Sequence, residues 1–182
     1  MKHPVASLLL LVLTLVPQVT HAQEEADDNP KFNTNLGWPI STPLGAASRV
    51  SGVGTGLTYG AGYNFTRRHA LVGEFLWDWL NAHGNGHSDL YTFTGNYRFE
   101  LRGRLLGGYL IAGGGWYWRR SSIPDLAVFG SSSTALGASG GAGFTIRVSD
   151  APYRLYFESR YHYAPTKPLN TRLIVTTIGI RY

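Results

Sequence analysis

Apolar and polar residues alternate along most of the chain after residue 30, with the period of two that a β-strand between two different environments produces. In the segment 153–163, Leu155 and Phe157 lie on one face, and Arg154 and Glu158 lie on the other. The polar face would be costly to bury in an ordinary apolar core. The pattern therefore predicts an all-β protein whose two sheet faces meet very different surroundings. Eight segments show it: 31–40, 52–65, 70–81, 89–101, 105–119, 135–149, 153–163 and 171–182.

Three features of these segments predict a barrel that crosses a membrane: their number, their length and the sequence of the last one. Strands of about ten residues with a period of two are typical of transmembrane barrels. In 171–182, Ile174, Ile178 and Tyr182 share one face, as the lipid-facing side of a closing strand requires. An unpaired strand edge is not tolerated in hydrocarbon, so this segment should pair with the first. We therefore expect an eight-stranded antiparallel up-and-down transmembrane β-barrel.

The predicted connections indicate the topology independently, because they alternate long and short: 41–51, 66–69, 82–88, 102–104, 120–134, 150–152 and 164–170. Outer-membrane barrels have short periplasmic turns and longer extracellular loops, so the first strand is expected to begin in the periplasm. The longest connection, 120–134, mixes apolar residues with Ser and Gly. It could fold over the barrel mouth, meet a partner, remain a mobile loop, or lie on the outer leaflet with Arg119 and Arg120 at lipid phosphates.

Aromatic residues fall at the predicted ends of the strands. The five tryptophans lie at the ends of odd-numbered segments, which form the extracellular rim on this topology: Trp38, Trp77, Trp79, Trp116 and Trp118. Amphipathic rings are favoured at the boundary between membrane and water, so these residues should form one girdle. Tyr182 is expected in the girdle at the opposite rim.

Charged residues occupy the faces that would point into the barrel. The predicted inward set is Glu74, Asp78, Arg98, Glu100, Arg147, Arg154, Glu158, Arg160, His162 and Arg181. Opposite charges in that space should pair, because an isolated desolvated charge is costly. The lumen could conduct or bind a solute, or its charges could form a plug that only holds the wall. The interior of an eight-stranded barrel is just wide enough for side chains, which favours the plug.

The N-terminal residues have the features of an export signal. Met1-Lys2-His3 is followed by a nearly uninterrupted apolar run over 5–16 and by Thr20-His21-Ala22, which suits a signal peptidase. The run is too short for a membrane-spanning helix of about 20 residues. We expect a signal peptide over 1–22, a flexible acidic leader over 23–30 and a barrel over 31–182. No cysteine is present, so no disulfide contributes to stability.

Charge and composition narrow the range of partners. The net charge is +5, and basic residues form only pairs such as Arg67-Arg68, so no nucleic-acid partner is expected. A mean hydropathy of −0.10 is compatible with a barrel that is apolar outside and polar inside. The expected partners are outer-membrane lipid and lipopolysaccharide. We expect a monomer without a cofactor in the bacterial outer membrane.

Several short stretches resemble recurring pieces of the generic bacterial outer-membrane β-barrel domain family. They are Tyr59-Gly60-Ala61-Gly62-Tyr63-Asn64-Phe65-Thr66, Gly73-Glu74-Phe75, Glu158-Ser159-Arg160-Tyr161-His162-Tyr163 and Gly179-Ile180-Arg181-Tyr182. The last also resembles the C-terminal assembly signal of such proteins, with Tyr182 in place of the usual Phe, and this resemblance implies the outer-membrane assembly machinery as a partner. Over 31–182 the chain is similar to barrels of the OmpA-transmembrane-domain and OmpX type. Because that family is defined by its architecture, the resemblance implies a structural or surface-interaction role without catalysis.

Two other functions remain open from the sequence. The stretch 160–164 resembles the active-site strand of lipid A 3-O-deacylases, which are eight-stranded barrels with a Ser, a His and an acidic residue. The family's nucleophile lies two residues after the histidine, where this chain has Ala164 after His162, and Thr166 is a possible substitute. The third possibility is a soluble exported barrel of lipocalin type, with its apolar face inside. His83 and His87 are close in sequence but lack a clear third metal ligand.

Overall fold

The computed structural model describes residues 31–49, 51–82, 86–101, 106–123, 128–148, 151–167 and 169–182. The predicted signal peptide over 1–22 and leader over 23–30 lie outside these residues, as does His83. The strands are β1 (Phe32–Pro43), β2 (Ser51–Asn64), β3 (His69–Ala82), β4 (His87–Leu101), β5 (Leu106–Ile123), β6 (Val128–Arg147), β7 (Arg154–Ala164) and β8 (Thr171–Arg181). A short 3-10 helix, Gly45–Arg49, follows β1. Within the described residues, no helix is long and apolar enough to cross a membrane.

The eight strands form one closed antiparallel barrel in which each strand pairs with its neighbours in the chain. β8 completes the wall by pairing with β1, so that Leu36 lies opposite Ile180. Two backbone hydrogen bonds between Thr34 and Tyr182 extend the same ladder. The predicted eight-stranded antiparallel barrel is therefore confirmed, and the last segment is its closing strand.

Paired residues of successive strands lie progressively closer to one end of the barrel around the wall. We call the rim where β1 begins and β8 ends the lower rim, and the opposite rim the upper rim. A row of paired residues that starts at Tyr182 on the lower rim reaches Arg172, near the upper rim, after one circuit. This offset between positions 182 and 172 means that the strands are strongly tilted, as the closure of a small barrel requires.

Apolar side chains cover the outer wall of the barrel. On β1, Leu36 and Trp38 are 40% and 63% exposed, whereas Asn33 and Asn35 are buried. Exposed residues on other strands include Leu71, Phe93, Leu110, Leu136 and Ile178. A barrel of lipocalin type would have its apolar face inside, so this wall contradicts the soluble alternative. Lipid is the surrounding that suits such a wall.

The longest predicted loop is largely β-structure, and its prediction as a loop over 120–134 is wrong. β5 continues to Ile123 and β6 begins at Val128, with Arg120 paired to Ser132 and an irregularity after Ser121. The Ser and Gly content of this stretch indicated a loop because those residues are common in turns. Strand pairing of residues 119–121 with residues 131–133 overrides that preference. The expected alternation of long and short connections is also wrong. The connection 124–127 in the upper half is shorter than the connection 148–153 in the lower half.

The depth of a side chain on the outer wall should determine the effect of a charge placed there. Phe157 lies on the outer face of β7 and stacks on Phe144, with ring centroids 5.3 Å apart. We predict that Phe157→Arg lowers the free energy of unfolding by about 2–4 kcal/mol, whereas Tyr163→Arg, near the upper end of β7, costs about 0–1 kcal/mol. Urea unfolding in lipid vesicles would measure both. Equal losses would contradict the assigned depths.

Candidate functional site

Arg160 lies inside the barrel and binds two carboxylates. Its Nη2 atom is 2.5 Å and 2.6 Å from the two oxygens of Glu74, and its Nε donates to Glu158 at 2.6 Å. All three side chains are at most 5% exposed. A guanidinium held by two carboxylates in this way forms strong, charge-assisted hydrogen bonds. The group links β3 to β7 across the lumen.

The narrow interior brings these residues together from distant parts of the chain. Glu158 and Arg160 are two positions apart on β7 and therefore point inward together. Gly141 lies opposite Arg160 on β6. A Cβ at Gly141 would collide with the Arg160 side chain and the backbone of Ser159. The glycine therefore provides the space that the arginine occupies.

A second charged group lies closer to the lower rim. Arg98 is almost fully buried, with its Nε 3.0 Å from Glu100 and its Nη2 donating to Asn33 at 3.3 Å. The Nη1 atom of Arg181 is 3.8 Å from the same Glu100 carboxylate. Two cations thus share one acidic residue beneath the Arg160 group.

Aromatic rings cover the guanidinium of Arg181. Its Cζ atom is 4.8 Å from the ring centroid of Tyr109 and 5.3 Å from that of Tyr156. Both tyrosines are buried inside the barrel. Cation–π contacts of this kind stabilise a cation that is largely removed from water. The lower half of the lumen is therefore filled by paired charges and rings.

Apolar side chains close the upper half of the lumen. The sequence pattern predicted a lumen that is polar throughout. The cluster is Leu76, Leu80, Leu90, Tyr117, Ala164, Leu173 and Val175, all at most 4% exposed. Leu76 and Leu80 share the inward face of β3 with Glu74 and Asp78. The mixture of apolar and charged residues on this face of β3 was visible in the sequence. The sequence could not show that leucines from several strands pack together.

His162 lies inside this closed interior. It is 2% exposed, and its Nδ1 is 2.9 Å from the Tyr117 hydroxyl. Ala164 is fully buried beside it, and Thr166 bonds instead to the Leu169 carbonyl at 2.8 Å. The imidazole is thus directed toward a tyrosine and away from the lipid around the barrel. The hydroxyl that His162 contacts therefore belongs to a buried tyrosine inside the barrel.

The uppermost polar group is built around Arg119. Its Nε donates to Ser88 at 3.0 Å and its Nη2 to Ser51 at 3.2 Å. The side chain is only 4% exposed, so the expectation that it contacts lipid phosphates is wrong. Arg120, the next residue, is exposed on the outer face. Asp78 is fully buried beside Ser41 and Gly54, outside the Arg160 group.

Two of the predicted lumen charges lie at the lower rim. Arg147 and Arg154 are opposite each other at the end of the β6–β7 ladder. Arg147 is exposed and Arg154 is partly buried. The prediction that the barrel encloses Arg147 is therefore wrong, because this inward-facing position lies where the wall ends.

The structure places the five tryptophans on the outer wall. Trp38, Trp77, Trp79, Trp116 and Trp118 are between 40% and 63% exposed. Trp118 donates from Nε1 to the Ser132 hydroxyl at 2.8 Å, so its ring joins an apolar wall to a polar hairpin. Tyr182 is exposed at the lower rim, where its ring centroid is 5.9 Å from that of Tyr153.

Comparisons with known proteins support the fold. No protein-family profile matches the sequence, and no curated protein matches it. Among solved structures, Neisserial surface protein A is similar with 18% identity and a TM-score of 0.63, over 84% of this chain and 96% of that chain. Ail, the attachment invasion locus protein of Yersinia pestis, has 15% identity and a TM-score of 0.55, over 83% and 97%. The outer membrane protein OprG from Pseudomonas aeruginosa has 13% identity and a TM-score of 0.54, over 83% and 95%.

These observations define the class of the molecule. A closed eight-stranded barrel with an exposed apolar wall has the fold of the small bacterial outer-membrane β-barrels. Inside the barrel, the described residues form paired charges in the lower half and, in the upper half, the apolar cluster with the Arg119 group above it. The side chains of the candidate site therefore contact one another.

The Arg160 group should show the energetics of a buried ion pair. We predict that Arg160→Met lowers the free energy of unfolding by about 3–5 kcal/mol, because Glu74 and Glu158 are left buried without their cation. Adding Glu74→Gln and Glu158→Gln should recover most of this loss. Denaturant unfolding in detergent, followed by tryptophan fluorescence, would measure the three proteins. A triple variant no more stable than Arg160→Met would show that the loss comes from packing.

Proposed function

We propose that this chain is an exported barrel of the bacterial outer membrane, directed there by residues 1–22, with a structural or surface-interaction role and no catalysis. In this proposal the upper rim faces the outside of the cell and the lower rim faces the periplasm. The barrel acts as a closed monomeric anchor in lipid. Its contacts with lipopolysaccharide and other molecules are made by the outer wall and the upper rim.

The observation that carries the proposal is the filled lumen. Arg160 joins Glu74 and Glu158 across the interior, and the leucine cluster lies above them. An aqueous channel needs a continuous polar path, which larger barrels provide and small ones do not. A solute would have to displace a buried ion pair and an apolar layer together. The geometry therefore favours a function outside the lumen.

The upper part of the β5–β6 hairpin offers a polar surface for such a function. The β6–β7 ladder ends at Ala138 and Tyr163, while β6 itself begins at Val128. Ser132 and Thr134 are exposed on this extension, and the Ser133 hydroxyl accepts a hydrogen bond from the Lys167 backbone at 2.8 Å. Exposed hydroxyl groups on a β-hairpin suit recognition of a polar partner.

The lipid A deacylase is the second candidate, and the site weakens it. The resembling stretch places His162 on the inward face, bonded to Tyr117. A substrate acyl ester lies in the membrane around the barrel and could not reach that imidazole without opening the wall. Hydrolysis of lipid A by the purified protein would nevertheless revive this candidate.

Orientation can be tested by cysteine labelling, because the chain contains no cysteine. Lys167 in the upper connection and Arg67 in a lower turn are both exposed. We predict that a membrane-impermeant maleimide labels Lys167→Cys on intact cells and labels Arg67→Cys only after the outer membrane is permeabilised. The reverse pattern would mean that the barrel is inverted. Recovery of both variants in the soluble periplasmic fraction would end the membrane assignment.

Closure of the lumen can be tested by electrical recording. We predict that the purified barrel, inserted into planar bilayers, produces no stepwise ionic current under conditions in which a large porin does. Arg160→Met should remain closed as well, because the apolar cluster around Leu80 and Leu90 lies above that site. Discrete current steps from the unmodified protein would show that the lumen conducts and would shift the function to the interior.

A further inference from the structure

Three basic side chains lie together on the lower rim, beside the start of the first strand. Lys31 precedes β1, and its carbonyl accepts a hydrogen bond from the Asn64 backbone at 2.7 Å. Asn64 ends β2, and the turn that follows carries Arg67 and Arg68. The side chains of all three basic residues are exposed. We call Lys31, Arg67 and Arg68 the basic corner.

The basic corner has no anionic partner within the part of the chain that the structure describes. There, no carboxylate lies within ion-pair distance of its three side chains. Glu100 is adjacent, since its backbone N–H donates to the Arg68 carbonyl at 2.8 Å. Its carboxylate, however, is 3.0 Å from Nε of Arg98 and 3.8 Å from Nη1 of Arg181. Two cations inside the barrel therefore already share this acidic residue.

The expected leader over 23–30 is attached to the chain at this corner. It contains no basic residue, and its acidic residues are Glu24, Glu25, Asp27 and Asp28. Residue 30 is joined to Lys31, which is bonded to the strand end that leads into the turn with Arg67 and Arg68. Four carboxylates thus precede a site where three cations lack a partner among the described residues. The two sets of charges are complementary.

The leader is long enough to reach the whole corner. Asp28 and Glu24 lie three and seven positions before Lys31. An extended chain spans at most about 3.5 Å per residue, so these carboxylates can lie up to roughly 10 Å and 25 Å from Lys31. Arg67 is three positions after Asn64, the residue bonded to Lys31, so the turn is itself within about 10 Å of that bond. The distance to be bridged is therefore smaller than the reach of the leader.

The covalent connection decides whether contacts at an exposed site persist. An isolated ion pair on the surface contributes little, because water and salt screen it. A segment that is tethered beside its site has an effective concentration in the millimolar range. Several charges of each sign also meet here at once, and a network of charges is the case in which exposed pairs contribute. The leader is therefore favoured over a free anion for this corner.

We infer that the acidic leader binds the basic corner of its own barrel, with its carboxylates on the guanidinium groups of Arg67 and Arg68. An arginine can bind a carboxylate through two parallel N–H···O bonds. This contact rests on the signal-peptide cleavage and the periplasmic lower rim of the proposed function. It holds the N-terminus of the mature protein against the lower rim, and it occupies cations that anionic lipid of the inner leaflet would otherwise contact.

Spin labelling of the mature protein in phosphatidylcholine vesicles tests this contact. A nitroxide on Ala26→Cys reports on the leader without removing a charge, and the chain has no other cysteine. We expect the spectrum to contain an immobilised component from the bound leader. Arg67→Gln combined with Arg68→Gln should lower the ratio of immobilised to mobile label about fivefold, the effect expected when two exposed ion pairs are lost. Neutralising the four acidic residues of the leader should have the same effect.

Two further variants separate the contact from general attraction to the rim. Arg147→Gln is the matched control, because Arg147 is an exposed cation of the same rim on β6, across the barrel from the β2–β3 turn. It should leave the ratio unchanged. Arg67→Lys combined with Arg68→Lys keeps both charges and should keep most of the immobilised component. Heat-modifiable gel migration shows whether each variant is folded.

Three results would overturn the inference. One is an unchanged ratio after both corner arginines are replaced by glutamine. Another is an equal loss from Arg147→Gln, which would reduce the contact to the overall charge of the rim. The third is release of the label when phosphatidylglycerol is added to the vesicles, since anionic lipid would then be the occupant of the corner.

Failure of the proposed function would look different. If the protein from cells does not begin at Gln23, or is absent from the outer-membrane fraction, the proposed function fails. If it begins at Gln23 and lies in that fraction, but the label on Ala26→Cys shows no immobilised component, only the leader contact fails.

Discussion

The pairing of β8 with β1 is the contact on which the rest of this molecule depends. An apolar wall in hydrocarbon cannot leave backbone N–H and C=O groups unpaired, because water is absent there. The ladder between Leu36 and Ile180 removes the two open edges that an unclosed eight-stranded sheet would have. Closure also sets the tilt of the strands, since the two ends of the sheet meet with an offset from position 182 to position 172. The narrow interior and the oblique course of the rows of paired residues around the wall both follow from that offset.

The narrow interior explains why the charges of this barrel pair with one another. Arg160 lies within hydrogen-bonding distance of Glu74 from β3 and of Glu158 on its own strand, so the three side chains contact one another directly. Buried ion pairs contribute little net stability, but the loss of one partner is costly. The group thus makes the interior sensitive to the loss of a single charged partner. The leucines above it extend the closure by ordinary apolar burial.

The glycines of the wall lie in two different surroundings. Gly141 faces inward and makes room for Arg160, so the reason for it lies within the chain. Gly73 and Gly95 face outward and leave space that the chain does not use. In a barrel, packing within the chain can therefore require glycine on the inner face and leave it unrequired on the outer face. Only the direction of the Cβ distinguishes the two cases.

Strand number, closure by the last strand and the identity of the lipid-facing residues were predictable from the sequence. A period of two assigns Leu155 and Phe157 to one face and Arg154 and Glu158 to the other without any knowledge of neighbours. Register is different, because it depends on how strands distant in the chain meet. The Glu74–Arg160 contact joins residues 86 positions apart. Arg147 and the β5–β6 hairpin were mispredicted because the end of a wall is set by pairing with a neighbouring strand. The sequence alone thus determined which way each side chain points, whereas only the tertiary structure decided which side chains meet, since contact across a barrel depends on its shear.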